Sequence, residues 1–323
     1  MSRWRVSGCW GRLGLLALTW VGVSVHAQGL RFVALGDMPY GPRAQTQAPY
    51  ERLIEAINQT APAFSIHIGD IKSGSSRCDD EELEHQRNNF NRFRQPLIYT
   101  PGDNEWTDCH RNNNGGYDPV ERLQALRRIF FAKRQALGQT PLRLQAQPEV
   151  QADQPDWVEN QRWMQAQVVF ATVHMVGSNN NRDPKRPEAM REFEARDRAN
   201  RAWLRSVFEW ANTQQARAVV LAMQADPFES KRWGQVFPPD SGFTLSVGQT
   251  LLPLAQASGV PVLLVHGDSH RFEFDQPFEL NGEPLRNVHR LEVPGGYGDY
   301  RALAVTVQTE NTQQPFAIQW INP

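Results

Sequence analysis

Four apolar segments of the chain end on the same dipeptide. "LRFVALGD" closes on Asp37, "AFSIHIGD" on Asp70 and "PLIYTPGD" on Asp103, while "PVLLVHGDSH" carries Asp268 with His270 two residues on. A strand that belongs in a core has no packing reason to finish on a carboxylate. Carboxylates gathered at one place repel one another unless some take up protons or a cation stands among them. Oxygen donors with one imidazole suit Mg2+, Mn2+ or Ca2+ better than a thiolate-seeking metal. A pair of such ions sharing one aspartate can activate water and neutralise a phosphoryl oxygen. Gly-Asp after a strand is also a turn and helix N-cap signal, so each aspartate has a structural reading of its own. The fourfold recurrence is what points to a site.

The elements that must carry these residues alternate. Strand character at 30–36, 62–69, 96–101, 167–176, 217–223 and 262–265 is interleaved with helical patterns at 48–58, 78–93, 119–136, 187–212 and 244–257. Leu123, Leu126, Ile129 and Phe130 fall on one face of the third of these helices. The stretch 138–165, with Pro141, Pro148 and Pro155, predicts an extended surface excursion, and the tail predicts a short run of antiparallel strands. The alternation argues for an α/β fold with a mainly parallel sheet covered on both faces. Ligands of such sheets bind outside the carboxyl ends of the strands. That rule gathers Asp37, Asp70, Asp103, Asn179, Gln224, Asp268 and His270 at one edge. Lys72, His110 and Arg111 are further polar groups expected there.

With 40% hydrophobic and 21% charged residues, the 323-residue chain is neither disordered nor fibrous in composition. Arg3, Arg5 and Arg12 precede and flank the apolar "LGLLALTWVGVSV", and Val25-His26-Ala27 ends in small residues: a signal peptide over 1–27, with a single domain over 28–323. Nothing after residue 27 is apolar for long enough to span a membrane. The chain has 34 Lys+Arg and 35 Asp+Glu, so loss of three arginines with the leader leaves a net charge of about −4, which argues against a nucleic-acid partner. Export to a periplasmic or secreted location would leave Cys78 and Cys109 as the only cysteines. Paired in an oxidising compartment, they would contribute roughly 3–4 kcal/mol on a chain-entropy model and tie two loops together at one end of the sheet.

The order of these blocks resembles the calcineurin-like metallophosphoesterases, the superfamily that includes the purple acid phosphatases. That family runs G-D-x-H, G-D, G-N-H-[DE], a histidine after a strand, then G-H-x-H. Here "GDMP", "GDIK", "GDNE", "QADP" and "GDSH" stand at corresponding places across residues 30–272. The resemblance implies a four-layer α/β/β/α sandwich with a two-metal site at the strand ends. It also implies in-line attack by a metal-bound hydroxide on a small phosphorylated substrate, a mono- or diester.

Ligand identity departs from the family pattern. Asp37 and Asp70 match its first-metal and bridging aspartates, and His270 matches its last histidine. Pro39 stands where a histidine is usual, with Tyr40 beside it. Asp103 replaces an asparagine, Asn104 replaces the histidine that helps protonate the leaving group, and Glu105 keeps the acidic place after it. Gln224 falls near another expected histidine, with Asp226 competing, and Asp268 replaces the first histidine of the last motif. One ion is then expected on Asp37, Asp70, His270 and Tyr40, the other on Asp70, Asp103, Asp268 and Gln224. The replacements are oxygen donors, which favours hard ions, Mn2+, Mg2+ or Ca2+, with iron also compatible. Asn104, Glu105 and His110 are the candidate catalytic groups, and Lys72, Arg111 and Asn179 the candidate phosphate-binding ones.

Two other readings compete. A phosphoesterase fold that has lost catalysis would bind a metal and an acidic or phosphorylated ligand, and Pro39 and Asn104 favour it. "GDSH" as the nucleophile block of a serine esterase comes too late in the chain, and no Asp-x-x-His follows it.

Overall fold

The computed structural model describes residues 1, 2, 4, 29–229 and 236–323. The expected leader, apart from residues 1, 2 and 4, lies outside the described residues, as does Cys9.

Two sheets stack face to face. The first has the order β14-β13-β1-β2-β3. Its parallel centre is β1 (Leu30–Leu35), β2 (Ser65–His67) and β3 (Leu97–Tyr99). β13 (Ala302–Val307) and β14 (Phe316–Ile321) add antiparallel strands on the β1 side. The second sheet has the order β4-β5-β6-β7-β8-β12-β9. Here β6 (Val168–Thr172), β7 (Ala218–Ala222), β8 (Val262–His266) and β12 (Val288–Glu292) run parallel. The antiparallel strands β4 (Gln145–Ala146), β5 (Gln161–Gln165) and β9 (Glu273–Asp275) close its edges. A separate hairpin pairs β10 (Glu279–Leu280) with β11 (Glu283–Pro284).

Side chains alternate across a strand, and the core records it. Phe32 and Ala34 of β1 face inward onto Phe170, Val220 and Val265 of the second sheet, and the Phe32 and Phe170 rings meet edge to face at 5.5 Å. Val33 and Leu35 face outward onto Tyr50, Leu53 and Ile57 of α1 (Arg43–Thr60), joined by Phe90 of α2 (Asp80–Phe90) and Leu126 of α3 (Pro119–Phe130). On the far side, Val219, Leu221 and Leu264 meet Trp203, Leu204 and Val207 of α4 (Pro187–Thr213). A π-helix, Thr244–Leu251, runs there into α5 (Leu252–Ser258). Helices, sheet, sheet and helices make the four-layer α/β/β/α order.

Several expectations are corrected. Alternation alone suggested one parallel sheet; the chain divides its strands between two, because each sheet needs its inner face covered by the other. The third helix stops at Phe130, where the chain turns so that Leu137 can bridge Leu97 at the edge of the first sheet. The 138–165 stretch is not a surface excursion throughout. Its β4–β5 hairpin completes the second sheet, and Trp163 stacks on Phe170 at 5.3 Å. In the tail, β12 joins the second sheet, parallel to β8 and antiparallel to β9, while β13 and β14 pair with each other antiparallel in the first. Among the described residues, no helix is long and apolar enough to cross a membrane.

Candidate metal centre

The parallel strands of both sheets end at one edge, and each delivers a polar loop. β1 leads to Asp37, β2 to Asp70 and β3 to Asp103 from the first sheet. From the second, β7 leads to Gln224 and β8 to Asp268 and His270. The backbone at these ends is unusual: Asp37, Asp70, Asp268 and His270 have φ of 52°, 54°, 76° and 62°, a left-handed region that L-residues with a side chain seldom enter. Such conformations persist when surrounding structure over-determines them, and they cluster at functional sites.

The result is two overlapping ligand sets. Asp37, Asp70 and His270 offer atoms that all lie within 4.8 Å of one another, and so do Asp70, Asp103 and Asp268. Asp70 belongs to both. His270 Nε2 stands 3.9 Å from Asp37 Oδ1. Each set takes ligands from both sheets. Glycines make the approach possible: a Cβ at Gly102 would collide with Asp70, one at Gly267 or Gly295 with Asp37, and one at Gly177 with both Asp268 and Asp103.

Around the carboxylates lies a shell of fixed donors. Tyr40 Oη donates to Asp70 Oδ2 at 2.8 Å. Asn104 donates from its side chain to Asp70 Oδ2 at 2.7 Å and to Tyr40 Oη at 2.8 Å, and from its backbone to Asp70 Oδ1 at 3.2 Å. The Asp268 backbone N–H points at Asp37, 3.2 Å from each oxygen. Ser178 Oγ lies 2.7 Å from Asp103 Oδ2 and 3.2 Å from Asp108 Oδ1. Asp103 Oδ1 is buried with no hydrogen-bond partner.

Electrostatics describe the same pocket. Burial pushes the carboxyls of Asp37, Asp70 and Asp268 well above the usual range, and Asp103 adds repulsion at each. Burial lifts Asp108 to about 7, with Asp103 again raising it and Arg111 opposing. Glu229 accepts from Asn179 N at 3.1 Å; although its surface is exposed, the dense packing around its carboxyl and repulsion from Asp103 and Asp226 lift it to about 7. A buried, partly unpartnered set of acids, repelled upward together, fits cations of charge two or more. The donor set, oxygens with one imidazole, fits hard divalent ions.

In structural comparison, a dimetal phosphatase from Danio rerio superposes with a TM-score of 0.52, over 91% of this chain and 99% of its own, at 11% identity. The chain has a calcineurin-like metallophosphoesterase fold. A purple acid phosphatase from yellow lupin (Lupinus luteus) seeds aligns with a TM-score of 0.47 and 14% identity, over 91% of this chain, which spans 53% of that protein. At the level of sequence, no family model and no curated protein matches the chain.

Several residues expected at the site have other work in this metallophosphoesterase fold. Gln224 is buried, but its Oε1 accepts from Gly177 N at 2.6 Å while Nε2 donates to Asp268 Oδ1 at 3.0 Å. In this position it holds Asp268. Tyr40 and Asn104 grip Asp70. Glu105 is fully buried and accepts from Tyr99 Oη at 2.8 Å and Gly102 N at 3.0 Å, so it fixes the Asp103 loop from below. Asp226 accepts from Phe228 N at 2.9 Å and shapes the turn after β7.

The expected phosphate-binding groups also part company. Lys72 is 1% exposed and donates to Ser73 O at 3.0 Å. It is a cation beneath the cluster, its pKa lowered by burial against the pull of Glu105 and Asp70. Asn179 bonds Asp240 O at 3.1 Å and Gly242 N at 2.7 Å, fastening one loop to another. Arg111 is half-exposed and pairs with Asp108 at 2.5 Å. His110 is exposed, its Nδ1 2.7 Å from Thr107 O. Cys78 and Cys109 form a disulfide across 31 positions, joining the loop after Asp70 to the loop after Asp103.

Sequence reasoning missed Ser178, Asp108 and Glu229. Ser178 opens a run in which Ser178, Asn179, Asn180 and Asn181 have φ of 52°, 54°, 56° and 59°. One turn of left-handed helix is thus built from L-residues, at roughly 1–2 kcal/mol each. Asn tolerates that conformation best, so "GSNNN" was the available signal. Arg196 holds the turn from α4: fully buried, it donates to Asn180 O at 3.0 Å and His174 O at 3.0 Å.

Proposed function

We propose that the chain is an exported, metal-dependent phosphoesterase that hydrolyses a small phosphate ester, mono- or di-. One observation carries the reading: Asp70 is common to two ligand sets, which is the geometry of a bridged pair of ions. The fold shared with a dimetal phosphatase supports it. Two divalent ions, held by Asp37, Asp70 and His270 and by Asp70, Asp103 and Asp268, would supply Lewis acidity and an activated water.

The chain's own residues do the rest. Tyr40 and Asn104 hold Asp70 against both of its oxygens, Ser178 holds Asp103, and Gln224 holds Asp268, so the acids are orientated before any ligand arrives. Arg111 presents a half-exposed guanidinium to a phosphoryl oxygen. Asn104 cannot donate a proton to a leaving alkoxide; His110, on the same loop and exposed, is the candidate: its Nδ1–H donates to Thr107 O, which turns Nε2 outward, and it is the doubly protonated ring that would give a proton from Nε2. Metal identity is expected among Mn2+, Mg2+, Ca2+ and iron. The Cys78–Cys109 disulfide supports export, because such bridges persist in oxidising compartments.

A second reading, binding without cleavage, draws on the same Asn104: the amide in the leaving-group position is committed to Asp70 and Tyr40. Metal content of the purified protein, measured beside Asp70→Ala, and turnover of a panel of phosphate mono- and diesters separate the two. About two ions per chain, lost in the variant, with ester turnover supports the enzyme. Ions and phosphate binding without turnover support the binding protein. No ion under any loading condition sinks both.

A further inference from the structure

The mouth of the centre has unequal sides. The exposed Ser75, Arg111 and Ser178 make one side polar. On the side of His270, aromatic rings are left in solvent: Tyr297 is 68% exposed, and Phe272 and Trp320 are each 40% exposed. Phe272 follows His270 by two residues and packs on Trp320 at 4.7 Å.

Of these exposed rings, Tyr297 is the one that lies against Tyr40, and its position is fixed. Gly296 N donates to Asp37 O at 2.7 Å. Tyr297 forms a backbone bridge with Tyr40. The two rings meet edge to face at 5.7 Å, and the Tyr40 ring lies 5.2 Å from that of His270. The Tyr297 hydroxyl shares a hydrogen bond with Ser75 Oγ at 3.2 Å, reaching toward the polar side. Beyond Tyr297 opens a hollow of about 600 Å³ whose walls include Pro49, Arg52, Tyr300, Arg301 and Pro323. A ring so firmly placed, yet left uncovered, presents a flat apolar surface between the ligand sets and that hollow.

We propose that Tyr297 is the stacking platform for the leaving group, and that the preferred substrates are phosphate esters of planar aromatic or heteroaromatic alcohols. This rests on the phosphoesterase reading above. With the phosphoryl group on the carboxylate-held ions, the ester oxygen directed toward the His270 side carries its alcohol over Tyr297 and into the hollow; an aromatic alcohol is acidic enough to leave there as its anion, without the proton that His110 would give an alkyl alkoxide on the other side. Flat rings gain from an aromatic platform beyond the area they bury, and a puckered ring of similar size does not share that gain.

The test is calorimetric titration of the Mn2+-loaded full chain with methyl-, cyclohexyl- and phenylphosphonate, whose P–C bonds resist hydrolysis. Phenylphosphonate is expected to bind about 10-fold tighter than methylphosphonate, and tighter than cyclohexylphosphonate. Tyr297→Ala should bring the phenyl-to-methyl ratio close to one, while Tyr297→Phe keeps it. Equal binding of the phenyl and cyclohexyl compounds, or a ratio that survives in Tyr297→Ala, overturns the platform and leaves the phosphoesterase reading standing, since phosphonates still bind. If none of the three binds the metal-loaded chain, the phosphoesterase reading falls and the platform with it.

Discussion

Asn104 grips Asp70 twice, from its backbone to Oδ1 at 3.2 Å and from its side chain to Oδ2 at 2.7 Å. Both oxygens of the shared carboxylate are thereby aimed, one for each ligand set. Asn104→Ala keeps the backbone bond and deletes the other. Metal affinity is expected to fall about 10-fold, the lower end for loss of a group that orientates a ligand, with both ions affected because Asp70 serves both. Titration with Mn2+ followed by calorimetry reads it. Loss at one site alone would mean that Asp70 is not shared.

The raised carboxyls set a pH dependence with a definite sign. Asp268 has a folded pKa well above its ordinary 3.8, so between those values the unfolded chain releases a proton that the folded chain keeps. In metal-free protein the contribution of Asp268 to stability therefore declines as pH rises from about 4 toward neutrality. Metal-free Asp268→Asn is expected to melt higher than metal-free wild type at pH 7, with the gap closing near pH 4. Asp108 and Glu229, each lifted to about 7, act in the same direction over the same window. An unchanged gap across that range would argue that Asp268 is not held in a repulsive pocket.

Gly177 is the contact point between the two sheets' acids. A Cβ there would press on Asp268 Oδ1 and Asp103 Oδ1 together. Gly177→Ala should therefore leave the set of Asp37, Asp70 and His270 able to load and cripple the other, giving about one ion per chain in place of two. Metal analysis by mass spectrometry distinguishes this from general loss, which would leave none.

Arg196 is fully buried and bonds Glu192, Asn180 and His174 at once. Arg196→Met removes one partner of a buried ion pair and leaves the left-handed turn without its clamp. The expected cost is about 3–5 kcal/mol, read from urea denaturation. Because Ser178 rides on that turn, metal affinity should drop in parallel. Destabilisation with unchanged affinity would separate the turn from the centre.

The parts of this molecule legible in sequence are those encoded within one segment. Asp37, Asp70 and Asp268 follow glycine at strand ends, where the chain must turn sharply, and that local signal named them. The distribution of strands over two sheets was less visible, since "NVHRLEV" gives no hint that it inserts between β8 and β9 and does not pair with β13. Gln224 shows the limit more sharply. Its residue type suits a metal ligand, and only the approach of Gly177 N, supplied by the turn after β6, commits its oxygen elsewhere. Ser178 was hidden for a related reason. The run of asparagines beside it signals an unusual turn, but nothing in the run says which side chain that turn aims at Asp103.

The ligand sets straddle the seam between the sheets, with Asp37, Asp70 and Asp103 on one and Asp268 and His270 on the other. An ion bound there would resist shear: one sheet could not slide over its neighbour without tearing oxygen from metal. Mechanical rigidity of the whole sandwich and occupancy of one small corner would then rise and fall together. Strand amides away from the centre, such as those at the starts of β1 and β8, should exchange with deuterium more slowly once the corner is filled.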